Sequence, residues 1–259
     1  MCAARQSSSG GSSRRRVRID RLLVERGLFE SRARAQAAIA AGLVTADDVA
    51  VAKPSDEIRS DAVLRATPAH PWVSRGGVKL AAALDHLGGD PRFDPADRVC
   101  LDVGTSTGGF AEVLLARGAR LVVAVDVGHG QLHPRLRGHP RMVSLEGTDI
   151  RTLDPGRLAE RPDLLTLDTS FISLELVLPA ALALTRPPAS LLALVKPQFE
   201  AGRNAVKKGI VRDPRIHRAV SERIAAVIAA LGWTVTGVVP SPIAGGDGNR
   251  ELFIAAHRA

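Results

Sequence analysis

Apolar and polar positions change their rhythm once along this chain, near residue 70. Before that point the spacing is helical and brief. R-I-D-R-L-L-V-E-R-G puts Ile19, Leu22 and Leu23 on one helical face, closed by Gly27. Ser31 stands as the N-cap of R-A-R-A-Q-A-A-I-A-A, which Gly42 ends. A short Val/Leu-rich segment, the acid pair Asp47-Asp48 and the turn Lys53–Asp56 lead to A-V-L-R-A, a predicted strand. Pro68 and Pro71 stiffen a linker, after which residues 74–87 predict a helix with Val78, Leu80, Leu84 and Leu87 mostly inward. From Arg98 onward, short apolar runs alternate with helical patterns. Strands are predicted over 98–103, 120–126, 141–145, 163–168, 189–195, 233–239 and 251–256, with helices near 108–117, 131–138, 172–185 and 214–231. Such alternation predicts an α/β domain, a mostly parallel seven-stranded sheet covered on both faces, with its site beyond the carboxyl ends of the strands.

Composition narrows the class. The 259 residues are 45% hydrophobic, enough for one large domain and a small one. The division expected is a disordered Ser/Gly-rich tail over 1–13, a small α+β domain over 14–66, a linker over 67–74 and the large domain over 75–259. The longest apolar runs are broken by Asp126, Glu175 or Pro179, so none approaches the roughly 18 residues of a membrane span. Cys2 and Cys100 cannot build a disulfide framework or a metal site, which fits a cytoplasmic setting. His70, His129, His133 and His217 lack metal-ligand spacing, and no metal is expected.

The net charge of +8 is concentrated. Residues 5–34 hold nine arginines against three acids, and residues 196–218 hold seven basic residues against two acids. Two such patches point to nucleic acid rather than membrane, the alternative being a solvated basic surface. Only five lysines occur, at 53, 79, 196, 207 and 208, which directs attention to what arginine cannot do, namely change protonation state.

The stretch V-C-L-D-V-G-T-S-T-G-G, residues 99–109, ends a buried strand in an acid and a glycine-rich turn. Dinucleotides and S-adenosylmethionine both bind at such a turn, where Gly104, Gly108 and Gly109 let backbone approach a ligand and Phe110 opens the following helix. Ser106 stands where a pyrophosphate needs glycine, and Asp102 would repel a phosphate but suits an ammonium and a sulfonium. Asp126, ending the next strand, suits a ribose diol of either ligand. Asp149 fits an adenine amine or a plain solvent-facing turn. Asp102 and Ser106 favour S-adenosylmethionine.

Four groups are predicted at the same end of the large domain: Asp168 and Lys196 closing strands, Glu251 opening the last one, and Lys79 on the helix before the sheet. A ribose 2′-hydroxyl is a poor nucleophile whose proton must be withdrawn or held, and a desolvated lysine beside another cation can serve as base. Glu200 is the rival of Glu251. A base-amine methyltransferase would want a D-P-P-Y-like segment where D-T-S-F stands at Asp168, and a non-catalytic ribosome-assembly factor would not need four intact groups. Arg203, Lys207 and Lys208 are expected to face RNA from an insertion after the fifth strand.

S-R-G-G-V-K-L, D-V-G-T-S-T-G-G-F, A-V-D-V-G-H-G-Q-L, D-T-S-F-I-S-L, V-K-P-Q-F-E and G-N-R-E together resemble the TlyA (haemolysin A) family of ribosomal RNA 2′-O-methyltransferases, whose catalytic domain is similar to the FtsJ type. The first fifty or so residues resemble an S-four-type RNA-binding domain. The resemblance implies a Rossmann-like class I S-adenosylmethionine-dependent methyltransferase domain behind a small RNA-binding one. It implies a Lys–Asp–Lys–Glu site on Lys79, Asp168, Lys196 and Glu251, with Lys196 as central base or proton holder and Lys79 on ribose or phosphate. It implies cytidine ribose in ribosomal RNA, in subunits or their intermediates, as the target. Arg32, Arg34 and Gln36 on the second helix would then face RNA, with Arg18 and Arg21 beside them. Asp149 departs from the asparagine that relatives commonly carry. Nothing in the sequence supports a pore.

Overall fold

The computed structural model describes residues 15–202 and 205–259; the expected tail over 1–13 and Arg203 lie outside them. The chain divides into two compact units, with the boundary in sequence between Pro71 and Trp72.

In the first unit, β1 (Arg16–Arg18) pairs antiparallel with β4 (Glu57–Arg59). Helices α1 (Ile19–Glu25) and α2 (Arg32–Ala40) lie beside a three-stranded sheet in which β2 (Val44–Ala46) is flanked by β3 (Val49–Ala50) and β5 (Leu64–Ala66). Ser31 caps α2, its hydroxyl accepting from Arg34 N at 3.4 Å, and Gly27 and Gly42 take the left-handed conformation that stops each helix. Ile19, Leu23, Phe29, Ala38, Ile39 and Val44 form the core. The acid pair Asp47-Asp48 makes the β2–β3 turn, both with positive φ (49° and 63°). Asp47 also accepts from Val63 N at 2.9 Å, tying the turn to the residue that precedes β5.

The second unit begins with α3 (Arg75–His86) and builds a seven-stranded sheet from β6 (Val99–Val103), β7 (Leu121–Val125), β8 (Met142–Leu145), β9 (Leu164–Leu167), β10 (Ala189–Val195), β11 (Thr234–Pro240) and β12 (Leu252–Arg258). The strand order is β11-β12-β10-β9-β6-β7-β8, with β12 antiparallel to both neighbours and every other pairing parallel. All five residues of β6 are buried, alternating between the faces. Cys100 packs with α3 and α4 (Gly109–Ala116), while Leu101 and Val103 pack with α5 (Leu174–Ala183) and α7 (Pro214–Ala230). The strand order reverses beside β6, whose chain first adds β7 and β8 on one side and then crosses to β9 on the other. That reversal opens a crevice at the carboxyl ends of β6 and β9.

The helix expected near 131–138 is absent. The chain closes three-residue turns instead, Leu136 N donating to His133 O at 2.9 Å and Arg137 N to Pro134 O at 3.3 Å, while His133 N bonds out to Thr107 O at 3.2 Å and Gly138 takes a positive φ of 71°. Leu132 and Leu136 are still buried, but by a stack of turns against Gly108. No helix among the described residues is long and apolar enough to cross a membrane.

Candidate active site

Three of the four chemical groups flank a strand and the fourth lies within a helix. Asp168 follows β9, and its backbone N donates to Val103 O at 2.9 Å, carrying the ladder one residue past the strand. Lys196 follows β10, and Pro197 opens the four-residue helix α6 (Pro197–Glu200) directly after it. Glu251 immediately precedes β12, and Lys79 lies on the second turn of α3. The two glycines of S-R-G-G bring α3 in. A Cβ on Gly77 would strike the Trp72 ring at 2.5 Å, and one on Gly76 would lie 3.6 Å from Asp168 Oδ2.

The four groups form two ion pairs. Lys79 Nζ donates to Glu251 Oε2 at 2.5 Å, both side chains being largely buried. Lys196 Nζ lies 2.7 Å from Asp168 Oδ1 and donates to Ser170 Oγ at 2.8 Å. Lys79 and Asp168 line one cleft of about 240 Å³ together with Arg75 and the Thr105–Thr107 turn. Gly104, Ser106 and Asp168 also line a second cleft of about 460 Å³, which runs on past Asp126, Asp149 and Phe171. Glu200, the rival of Glu251, is committed elsewhere: it accepts from Ser173 Oγ at 2.7 Å and Leu174 N at 2.8 Å, capping α5.

The glycine-rich turn differs from expectation in its cause. The missing side chains make room for protein. A Cβ on Gly104 would meet Asp168 O at 2.6 Å, one on Gly108 would strike Leu136, and one on Gly109 would strike Ser74 Oγ. Gly104 and Gly109 still line the clefts, whereas Gly108 does not. Ser106 stands at φ 49°, an unusual place for a residue with a side chain, and its hydroxyl donates to Gln131 Oε1 at 3.1 Å. Phe110 is buried against Phe253 and lines the smaller cleft.

The three acids expected at the ligand differ sharply. Asp126 lines the larger cleft and accepts from Ser106 N and Gly128 N, both at 2.7 Å. Asp149 lines it too, but both its oxygens are gripped by the Arg151 guanidinium, which holds its carboxyl below the usual range. Asp102 lies behind the turn, fully buried and outside both clefts. Its Oδ1 accepts from the Thr166 hydroxyl at 2.9 Å, its Oδ2 has no partner, and burial pushes the carboxyl up to about 7.

A family model described as FtsJ-like methyltransferase matches residues 72–258, and one for the S4 domain matches residues 17–64. The 16S/23S rRNA (cytidine-2'-O)-methyltransferase TlyA of Mycobacterium tuberculosis is 44% identical over 243 residues, covering 93% of this chain and 89% of the relative. The chain belongs to the TlyA family of FtsJ-like methyltransferases. Hemolysin A of Brachyspira hyodysenteriae is 34% identical over 239 residues, spanning 92% of this chain and 98% of its own length. Among solved structures, a chain carrying the hemolysin name from Streptococcus thermophilus is 38% identical with a TM-score of 0.74, covering 95% of this chain and 90% of that one.

Within this TlyA-family chain the basic residues of the first unit are less free than their sequence suggests. Arg18, Arg32 and Gln36, expected to face RNA, converge on Asp20: Arg32 Nη2 lies 2.6 Å, Gln36 Nε2 3.0 Å and Arg18 Nη2 3.2 Å from its Oδ2. Asp20 is fully buried, and the Arg18 hydrogen bond, with those of Arg32 and Gln36, holds its carboxyl well below the usual range. Arg21 is exposed and 3.7 Å from Glu25, and Arg34 is half-buried. Lys207 and Lys208 are exposed. Sequence reasoning missed Ser170, the hydroxyl partner of Lys196, and Arg75 at the mouth of the smaller cleft. Both sit inside quoted motifs, Ser170 two residues past Asp168 and Arg75 four before Lys79, so motif position was the available signal. No group of three or more His, Cys, Asp or Glu placed to hold a metal occurs among the described residues.

Proposed function

We propose that this chain methylates the 2′-oxygen of cytidine ribose in ribosomal RNA, using S-adenosylmethionine and the group Lys79, Asp168, Lys196 and Glu251. The observation that carries this reading is the pair of adjoining ion pairs, Lys79–Glu251 and Lys196–Asp168, beside a cleft lined by the glycine-rich turn. The names of the relatives, rRNA (cytidine-2'-O)-methyltransferases, support the substrate, and the S4 domain supports an RNA partner in the ribosomal subunits. Such a substrate implies work in the cytoplasm.

The residues fit the cofactor. The larger cleft is lined by Asp126, Asp149 and Asp168, carboxylates that suit hydroxyls, an amine and positive charge, and would repel a pyrophosphate. Asp102 behind it keeps one buried carboxylate oxygen without a partner. Asp126 would hold the ribose diol and Gly104 and Ser106 the backbone contacts, while Asp149, already held by Arg151, adds only its place in the cleft wall. Once bound, the cofactor supplies an electrophilic methyl group on a positively charged sulfur.

The protein's part is to prepare the oxygen. A methyl group passing from the cofactor's sulfur to the 2′-oxygen would require the 2′ O–H proton to leave, and Lys196 would be the group that takes or holds it. Asp168 and Ser170 keep its Nζ in one position, since a long flexible chain would otherwise sample many. Lys79, fixed by Glu251, faces the ribose or its phosphate. The test is digestion of ribosomal RNA after incubation with the protein and labelled cofactor. Methyl label in nuclease-resistant, ribose-methylated dinucleotides is expected; label on base amines would overturn the reading.

A further inference from the structure

The stretch from Ala205 to Arg212 carries Lys207, Lys208 and Arg212 and no acid. All three cations are exposed, and none has a carboxylate partner among the described residues. Lys207 N donates to Ile210 O at 3.0 Å and Ile210 N to Lys207 O at 3.1 Å, closing a two-residue turn with Lys208 and Gly209 at its tip. Both tip residues have positive φ, 51° and 79°. Asn-Gly is the sequence such a turn favours, so a lysine there holds its ammonium outward at a conformational cost. Strain kept at an exposed charge points to a use for that charge.

Asn249 anchors this turn. Fully buried, it donates from Nδ2 to Gly209 O at 2.8 Å and accepts at Oδ1 from Val211 N at 2.9 Å. His217 holds the same residue from α7, its Nε2 lying 2.9 Å from Val211 O. Asn249 stands two residues before Glu251 in G-N-R-E, and its backbone O accepts from Gly245 N at 2.9 Å. A Cβ on Gly245 would collide with Glu251 Oε1, so the turn containing Gly245 packs directly on that carboxylate. One side-chain amide therefore joins the basic turn to the segment that presents Glu251 to Lys79.

We propose that the Lys207–Lys208 turn docks a phosphate of the RNA backbone, and that Asn249 is a positioning residue tying that docking point to Glu251. This rests on the reading of the chain as an RNA 2′-O-methyltransferase. Bound phosphate neutralises the turn, and the amide carries its placement to the Lys79–Glu251 pair.

The full-length chain is assayed on ribosomal RNA with S-adenosylmethionine, and RNA binding is measured separately over a salt series. Lys208→Asn relieves the strained φ, so it should raise the melting temperature while raising the RNA KM several-fold and reducing the salt slope of binding by roughly 0.7–0.9. A purely structural lysine would give the first effect without the others. Asn249→Asp keeps the acceptor for Val211 N and loses the donor to Gly209 O; it should lower kcat several-fold and raise the RNA KM, with cofactor binding unchanged. Lys208→Asn with unchanged RNA affinity and salt slope would overturn the docking point. Asn249→Asp with unchanged kcat would overturn the tie to Glu251. Absence of ribose methylation by the wild type would instead defeat the functional reading, while the binding series still decides the docking claim.

Discussion

Asp20 and Asp102 are both fully buried, one in each unit, and they are treated in opposite ways. Asp20 is surrounded by donors: Arg18, Arg32 and Gln36 all reach one oxygen, and its carboxyl is held well below the usual range. Asp102 has the Thr166 hydroxyl on one oxygen and no well-formed hydrogen bond on the other, and burial, which Thr166, Thr105 and the Ala111 backbone offset only in part, pushes its carboxyl up to about 7. A buried acid with its partners supplied is architecture, because the fold itself neutralises the charge. One left short of partners is costly to the fold and gains a counter-charge only from something that binds. The difference separates the two clusters of charge that look alike in sequence.

Removing each acid should break the symmetry. Asp102→Ala is expected to weaken S-adenosylmethionine binding by roughly tenfold to a hundredfold, the usual worth of one charge-assisted contact, with the melting temperature unchanged or raised. Unaltered cofactor affinity by calorimetry would make Asp102 a structural acid like Asp20. Asp20→Ala should do the reverse: leave cofactor binding untouched and lower the melting temperature of the first unit by on the order of 10 °C, since Arg18, Arg32 and Gln36 lose their common partner.

The pH dependence sharpens the same contrast. Asp20 has a folded pKa below its unfolded value, so its contribution is present above about pH 4 and is lost as pH falls. Asp102 has a folded pKa near 7, above its unfolded value, so the native state binds the extra proton between about pH 4 and 7 and stability falls as pH rises across that window. Melting curves of the cofactor-free protein should therefore show a decline toward pH 8 that Asp102→Asn abolishes; the same decline in the variant would assign it to another group. The smallest effect belongs to Asp149→Asn. Arg151 already occupies both carboxylate oxygens, so cofactor affinity should change by no more than about threefold.

Much of this was legible before the structure. The alternation of apolar runs from Arg98 gave the strands, and Gly27 and Gly42 gave the ends of α1 and α2, because burial and helix termination leave local marks on the chain. Lys79, Asp168, Lys196 and Glu251 were readable as strand-end and helix charges that the topology brings together. Three things were hidden because they depend on partners distant in sequence. Leu132 and Leu136 keep a helical spacing, but His133 N bonds out to Thr107 O and the residues after it close three-residue turns. Gly104, Gly108 and Gly109 mark a ligand turn in sequence, yet what their missing side chains admit is Asp168, Leu136 and Ser74. Arg18, Arg32 and Gln36 look like an RNA face until Asp20 is found beneath them. Sequence spacing reports which side chains share a face; it does not report which of them already have a partner.

The most direct test of the account removes the lysine that Asp168 and Ser170 hold in place. Lys196→Ala should lower methyl transfer to ribosomal RNA by about 100-fold or more while S-adenosylmethionine affinity, measured on the same preparation, stays within about threefold of wild type. Methyl transfer surviving at near wild-type rate, with the cofactor bound as before, would contradict the assignment of these charges to chemistry.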